Sequence, residues 1–286
     1  MIFNVSCEID YEIRSPSTLI LSVHAQRNSA QVVLEERFSI EPTVTFNEFL
    51  AEGSGNRFVR VETGNTKNLR VRYAAAIDCD FQLLAANELQ VTPVADMTAA
   101  ELQYLFPSRY CQSDRLGRLA WDLFGKIDGA HGKVVAITDW IYHNVEYLRG
   151  STDSETSAYD TVTQRTGVCR DFAHLGIALC RALNIPARYF TGYAYQLEPP
   201  DMHACFECFI GGSWTIFDAT RLAQLNGLVR VGIGRDAADA SVASIFGDVR
   251  CQRMAIDCQL APGQQFAAVG RKQLGRHAVE LSSDHS

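Results

Sequence analysis

The sequence lacks several features that would define whole classes of protein. No run of about 18 apolar residues is present, which is what a membrane-spanning helix needs. Positive charge is not in excess either, since 26 Lys and Arg stand against 33 Asp and Glu, for a net charge of −7. Nucleic acids and anionic membranes bind basic surfaces, so neither is expected as a partner. The phosphate-binding patterns GxxxxGK[S/T] and GxGxxG are also absent, which leaves nucleotide chemistry without support.

Two further absences bear on location. The N-terminus has neither the basic segment nor the apolar segment of a secretion signal, so no such signal is expected. The nine cysteines are odd in number and thinly spread, unlike the dense, even set of a disulfide-stabilised secreted domain. We therefore expect a cytoplasmic protein. With 286 residues, 47% hydrophobic and 21% charged, the chain is globular in composition and long enough for about two domains.

The first third of the chain has the pattern of β-strands. Short segments rich in β-branched residues, several of them alternating, predict an antiparallel β-sandwich-like domain over residues 1–95. The segments are residues 5–13, 19–24, 31–40, 57–61 and 69–76. The last two flank Gly64-Asn65-Thr66, and we interpret them as a hairpin joined by these turn residues.

After Thr92-Pro93 the apolar period changes from two to about 3.6, which indicates helices. The predicted helices are residues 99–106, 114–124, 133–145, 156–164 and 169–183, the last ending at Asn184 before Pro186. Strands are predicted over residues 188–195, 205–210 and 214–218, the last two as a hairpin around Gly211-Gly212. Residues 96–286 are thus expected to form an α+β domain, and the polar tail from about residue 274 is expected to be frayed.

Cys169 occupies an informative place in this pattern. It follows Gly167-Val168 at the point where a turn passes into a helix. A helix N-terminus carries unpaired N–H groups and the positive end of the dipole, so it favours the thiolate anion there. The alternative is an ordinary buried cysteine, which is the common case for a cysteine taken alone.

Two downstream residues favour the reactive interpretation of Cys169. His203 lies on one strand of the predicted hairpin, and Asp218 lies near the end of the other, roughly across from it. A carboxylate beside an imidazole selects its tautomer and stabilises the imidazolium. If the hairpin packs against the helix start, the three residues form a Cys-His-Asp triad.

These blocks resemble the transglutaminase-like superfamily of cysteine transamidases and peptidases. The matching residues are Gly167 to Ala173, Leu179 to Tyr189, His203-Ala204 with Glu207, and Phe217 to Thr220, in the family's order and spacing. The resemblance covers about residues 100–225, and the β-rich N-terminal region also looks like the domain that precedes this core in many bacterial members. It implies a papain-like catalytic core with a C-terminal extension.

The resemblance also implies roles for the triad. Cys169 would be the nucleophile, His203 the general base and then acid, and Asp218 the orienting carboxylate. One departure is Cys205, where members usually have an aromatic residue such as Trp. Another is the lack of an acidic cluster at calcium-loop spacing, so no calcium requirement and no cofactor are expected.

The implied activity is thiol acyl transfer on amide bonds of peptides or proteins through a thioester. Release to water would make the chain a peptidase or amidase, and release to an amine acceptor would make it a transglutaminase. We favour hydrolysis. Two alternatives stay open: acyl transfer of the arylamine N-acetyltransferase kind, and an inactive protein-binding scaffold.

Several residues are weaker candidates for substrate contacts or for the oxyanion hole, which needs the backbone N–H of Cys169 and a second donor. The indole of Trp140 is one possible second donor. Arg170 is either a solvated neighbour of the nucleophile or a substrate contact. The other candidates are Tyr142, Asn144, Tyr147 and Trp214.

Two competing interpretations are less favoured. His174 is a rival base, but a position five residues along the helix from Cys169 points to another face, so we expect it to pack or cap. His203, Cys205 and Cys208 have the composition of a zinc site. Alternation along a strand puts Cys208 on the opposite face from the other two, which argues against a shared metal.

Overall fold

The computed structural model describes residues 1–281. Its strands, in chain order, are β1 (Ile2–Ile13), β2 (Thr18–Leu21), β3 (Gln31–Glu41), β4 (Thr45–Leu50), β5 (Arg57–Glu62), β6 (Asn68–Cys79), β7 (Gln82–Ala85), β8 (Glu146–Tyr147), β9 (Thr166–Gly167), β10 (Ala187–Ala194), β11 (Met202–Ile210), β12 (Ser213–Phe217), β13 (Leu228–Gly234), β14 (Ala243–Phe246), β15 (Val249–Leu260) and β16 (His277–Glu280).

The N-terminal region is an antiparallel β-sandwich, as predicted. One sheet has the order β15-β1-β6-β3 and the other the order β14-β2-β5-β4. Alternation along β1 explains the core, because every second side chain faces the other sheet and is buried. These buried side chains are Phe3, Val5, Cys7, Ile9, Tyr11 and Ile13.

The helices belong to the second part of the chain, and all except the last overlap predicted segments. They are α1 (Ala99–Leu102), α2 (Ser113–Phe124), α3 (Ala130–Asn144), α4 (Ala158–Gln164), α5 (Cys169–Ala182) and α6 (Arg271–Leu274). The long helix α5 packs against α2, α3 and α4 on one side and against β10 and β11 on the other. Within residues 1–281 no helix combines the length and the apolar character needed to cross a membrane.

The sheet behind α5 has the order β13-β10-β11-β12-β16-β7. Gly211 and Gly212, both with positive φ, join β11 to β12, so the predicted hairpin is confirmed. Asn184 has a φ of 60° just after α5, which agrees with its predicted role at the helix end. This sheet and α5 form the α+β core.

The predicted hairpin at Gly64-Asn65-Thr66 is wrong. β5 pairs with β2 and β4, whereas β6 pairs with β1 and β3 in the opposite sheet. Val61 and Leu69 nevertheless contribute to one core, because the chain crosses from one layer of the sandwich to the other between them. Alternation shows which face of a strand is buried, and it does not show which strand is its neighbour.

On each side of residue 95, one strand belongs to the sheet formed mainly by the other side. The domain boundary predicted there stays a prediction. β15 pairs with β1 along almost its whole length, which makes a late segment part of the N-terminal sandwich. In the other direction, β7 joins the α5 sheet by pairing with β16. The expectation of a frayed tail is wrong for residues 277–280, which form β16 between β12 and β7. The rest of the tail, residues 282–286, lies outside the described residues.

Candidate active site

Cys169 is the first residue of α5, and its neighbours explain why the helix begins there. The buried carboxylate of Asp171 accepts a hydrogen bond from the backbone N–H of Val168 at 2.9 Å, which caps the helix. Gly167 is required beside it, because a Cβ there would lie 2.8 Å from the Cβ of Asp171. The GxC pattern is therefore also the signature of this helix start. It leaves Cys169 half-buried at the positive end of α5.

The hairpin of β11 and β12 brings His203 and Asp218 together. Phe206 pairs with Phe217, so Asp218 follows directly after the last paired residue of β12 and lies diagonally from His203. Nε2 of His203 lies 3.0 Å from Oδ2 of Asp218. Both side chains are buried, with His203 1% and Asp218 8% exposed, so solvent screens their interaction little.

Asp218 is held by the turn that follows it. Its Oδ1 accepts hydrogen bonds from the backbone N–H of Thr220 at 2.8 Å and from the Thr220 hydroxyl at 2.7 Å. The backbone N–H of Ala223 donates to Oδ2 at 3.3 Å. Burial opposes ionisation of this carboxyl, but His203 and Thr220 outweigh it and hold the pKa of Asp218 below its usual range.

His203 also interacts with Cys169, and the two residues line the same cleft. Because Asp218 engages Nε2, Nδ1 is the ring nitrogen left to serve the sulfur. Burial alone would lower the pKa of His203, but the charge and hydrogen bond of Asp218, with a further contribution from Cys169, raise it to about 10. The imidazolium is thus the favoured form beside the thiol at neutral pH.

Tyr147 is brought to the same place by a short parallel pairing that the sequence pattern did not reveal. β8 pairs with β9 so that Tyr147 lies opposite Gly167, two residues before the cysteine. Tyr147 interacts with Cys169, and the two residues line the same cleft. Burial and the neighbouring cysteine raise the pKa of Tyr147 to about 12, so the hydroxyl keeps its proton and can donate it in a hydrogen bond.

A cleft of about 290 Å³ opens over Cys169 and His203. Tyr147 and Arg149 line it on one side, and residues 197–203 together with Leu222 line the rest. Arg149, Glu198 and Leu222 are exposed, so the cleft is open to solvent. A carbonyl carbon that enters it would meet the thiol and the imidazole together.

Trp140, Tyr142 and Asn144, three of the weaker candidates, lie on α3 and are not among the residues that line this cleft. The Trp140 ring packs on Phe124 and lies 4.9 Å from the guanidinium of Arg165, and its role as an oxyanion donor stays a prediction. The Asn144 side chain donates to the carbonyl of Trp140. The Tyr142 ring is covered by the Arg221 guanidinium at 3.9 Å.

Arg170 and Trp214 also make contacts away from the cleft. The Arg170 guanidinium donates to Oδ1 of Asp171 and to the carbonyl of Asp153, so it stabilises the loop before α5. The Trp214 ring lies 4.0 Å from the Arg188 guanidinium and packs on Tyr104. Both side chains thus support the framework, and the substrate contacts considered for them stay predictions.

The two less favoured interpretations have structural outcomes. His174 is fully buried between the rings of Tyr110 and Tyr189, and its Nε2 accepts a hydrogen bond from the backbone N–H of Ala237. Burial keeps the pKa of His174 well below its usual value, so its predicted packing role is confirmed. The Cys208 sulfur contacts Cys180 on α5 at 3.7 Å, on the helix side of the sheet.

Glu207, which belongs to the matching motif, has a role that the sequence did not define. Its carboxylate is completely buried and bridges two arginines, Arg188 at 2.6 Å and Arg230 from β13. This carboxylate thereby links the three strands β10, β11 and β13. Removing one partner of a buried ion pair is destabilising, because it leaves the other charge buried without an opposite charge.

We expect Glu207→Gln to lower the free energy of unfolding by about 3 kcal/mol or more, because it removes the buried negative charge that bridges Arg188 and Arg230. Urea denaturation of both proteins measures this difference. The matched control is Glu52→Gln at an exposed loop position, for which we expect a change within about 0.5 kcal/mol. Equal stability of Glu207→Gln and the parent would contradict a structural role for this carboxylate.

Comparison with known proteins places this geometry in a family. Residues 1–100 match the model described as bacterial transglutaminase, N-terminal domain, and residues 118–219 match the transglutaminase-like superfamily. A solved structure from Cytophaga hutchinsonii, described as a putative cysteine protease, is 49% identical and has a TM-score of 0.95. The match covers 99% of this chain and 98% of that one. The chain belongs to the transglutaminase-like superfamily.

Curated relatives match over shorter segments. An uncharacterised protein of Mycobacterium leprae is 32% identical over 117 residues, which are 38% of this chain and 42% of that protein. An uncharacterised protein of Mycobacterium tuberculosis is 42% identical over 60 residues, 21% of this chain and 19% of the relative. The matches thus span less than half of these relatives. Family and fold together support an enzyme of the thiol acyl-transfer or protease class.

Proposed function

We propose that this protein is a cysteine peptidase or amidase that cleaves amide bonds of peptides or proteins through a Cys169-His203-Asp218 triad. The observation that carries the proposal is the position of His203, which is hydrogen-bonded to Asp218 through Nε2 and lines one cleft together with Cys169. In this chain of contacts a carboxylate orients the imidazole, and the imidazole takes the thiol proton.

The first half-reaction begins from the thiolate and imidazolium pair. The Cys169 sulfur attacks the carbonyl carbon, and the carbonyl oxygen becomes an oxyanion. We assign the backbone N–H of Cys169 and the hydroxyl of Tyr147 as its two donors, because both residues line the cleft that the carbonyl would enter. Collapse of the tetrahedral intermediate breaks the C–N bond, and Nδ1 of His203 gives its proton to the departing nitrogen. An acyl thioester on Cys169 remains.

In the second half-reaction water attacks the thioester. His203, now neutral, takes a proton from the water, and the thiolate leaves as the carboxylic acid is released. The same steps with an amine as the nucleophile would give transamidation. The open cleft favours water, because transamidation depends on excluding it and the cleft walls at Arg149, Glu198 and Leu222 are exposed.

The proposal is tested by incubating the protein with a panel of peptides and glutamine-containing proteins, with and without a primary amine. Mass spectrometry of the products separates the outcomes. We expect cleavage fragments or loss of ammonia with gain of water, and no gain of the amine mass. Incorporation of the amine would assign transamidation instead. Turnover only with an acyl-CoA donor and an arylamine would contradict the proposal.

Tyr147→Phe tests the oxyanion donor. It removes one hydroxyl and keeps the ring, so we expect kcat to fall by about 10- to 100-fold with little change in KM, since loss of one such donor costs a factor of this order or more. Kinetics on the best substrate of the panel measure both constants. Tyr142→Phe is the matched control, because that ring lies outside the cleft. Equal losses in the two variants would remove Tyr147 from the oxyanion hole.

A further inference from the structure

A second cavity, of about 730 Å³, lies next to the candidate active site and is more than twice the volume of the cleft over Cys169. Its walls come from α3, from the end of β12 and the turn after it, and from residues 268–271, 274–275 and 277–278. The turn contributes to both spaces, because Arg221 lines the second cavity and Leu222 lines the cleft. Of the three proposed triad residues, Asp218 lines the second cavity, whereas Cys169 and His203 line the cleft, so the two spaces adjoin at Asp218.

Part of this cavity is apolar. Ile216 and Phe217 at the end of β12, Leu225 from the loop after it, and Val269 and Leu274 from the C-terminal segment contribute hydrocarbon surface. Small-molecule sites are commonly of this volume and combine a largely apolar lining with a few polar groups. The volume and lining therefore fit an organic molecule with an apolar body.

Two carboxylates and two guanidinium groups line the cavity, and one of the guanidinium groups has no carboxylate partner among residues 1–281. Arg221 is paired with the carboxylate of Asp139, and the carboxylate of Asp218 is paired with His203. Arg271 lines the same cavity, and within residues 1–281 no carboxylate lies at ion-pair distance from it. Its guanidinium lies 5.6 Å from the Tyr142 ring, which is also covered by Arg221. The guanidinium groups of Arg221 and Arg271 therefore both lie near the Tyr142 ring.

We propose that the second cavity binds a small organic carboxylate, with the apolar body against β12 and the carboxylate at Arg271 and Arg221. Guanidinium groups are well suited to this anion, because they offer parallel N–H donors to its two oxygens. The bound molecule would contact the turn from which Thr220 and Ala223 hold Asp218. Residues 268–278, which contribute one wall of the cavity, lie outside both segments that match family models.

Calorimetry on the full-length Cys169→Ala protein tests the proposal without turnover of the probes. The probes are benzoate, phenylpropionate and octanoate, each compared with its neutral amide. We expect saturable binding of at least one carboxylate, about tenfold or more tighter than its amide, as a charge-assisted hydrogen bond gives. Because the catalytic cysteine is absent, the result does not depend on the proposed function.

Two variants and one matched control, all in the Cys169→Ala protein, locate the site. Arg271→Glu is expected to weaken carboxylate binding by about tenfold or more, whereas Arg276→Glu, an exposed arginine outside the lining, is the matched control and should change it less than about twofold. Ala268→Trp places a large ring in the cavity and should abolish binding, with thermal unfolding as the check on folding. Absence of saturable binding, equal binding of the amides, or an unchanged affinity in both Arg271→Glu and Ala268→Trp would overturn the proposal.

Discussion

Replacing Cys169 by alanine is expected to abolish turnover while leaving the fold intact. The substitution removes the sulfur that forms the thioester, and no other group in the cleft can take its place. It costs little stability, because Cys169 is half-buried at the first position of α5 and alanine is a good helix former. Product formation, measured by mass spectrometry, should fall to the background rate, and the thermal unfolding midpoint should stay within a few degrees of the parent.

Cys180→Ala on the same helix is the control. Its thiol is completely buried against Cys208, so we expect a loss of stability but retained turnover per folded molecule. Residual turnover in a folded Cys169→Ala protein, above that of a heat-denatured sample, would contradict the proposed mechanism.

Asp218→Asn is expected to lower kcat/KM by roughly 10- to 1000-fold, less than the loss of about 10⁴ for the equivalent change in a serine-protease triad. The amide keeps the shape of the side chain but favours the wrong imidazole tautomer. A thiol loses its proton more readily than a serine hydroxyl, which makes the triad less dependent on the third member. Asp122→Asn, at an exposed position on α2, is the control and should leave kcat/KM unchanged.

The pH dependence separates an orienting role for Asp218 from a purely structural one. In the parent, the raised pKa of His203, about 10, keeps the imidazolium present through neutral pH, so the alkaline limit of activity should lie well above the usual imidazole range. Removing the carboxylate charge should move this alkaline limb to lower pH. The stability from the charged pair should be complete between about pH 4 and 6.5, be lost as the pH rises towards 10, and also be lost at acid pH when Asp218 takes up a proton. An unchanged profile in Asp218→Asn would remove Asp218 from the triad.

The sequence predicted the parts of the site whose signals are local. α5 and the β11-β12 hairpin carry strong signals of their own, namely an apolar helical period with a helix end at Asn184 and a Gly-Gly turn between two strands. Once these two elements were identified, the approach of Cys169, His203 and Asp218 required only that the hairpin pack on the helix start.

The parts that the sequence did not predict depend on partners distant in the chain. Tyr147 could not be separated from Trp140 or Tyr142, because its position comes from a two-residue parallel pairing with Gly167 that leaves no periodic pattern. The pairing of β15 with β1 joins residues at opposite ends of the chain, and alternation does not identify such a partner. β16 was missed because its pairing with β12 and β7, rather than its own composition, makes it a strand.

The reactivity of the nine thiols tests the central claim most directly. Cys251 is exposed, whereas Cys169 is half-buried, so solvent access alone favours labelling of Cys251. Partial burial also raises the pKa of Cys251, which disfavours its thiolate. After brief treatment with substoichiometric iodoacetamide at neutral pH, peptide mapping should find the label on Cys169 ahead of Cys251, with activity lost in proportion to that label. Labelling of Cys251 first, with Cys169 unmodified and activity retained, would contradict the account.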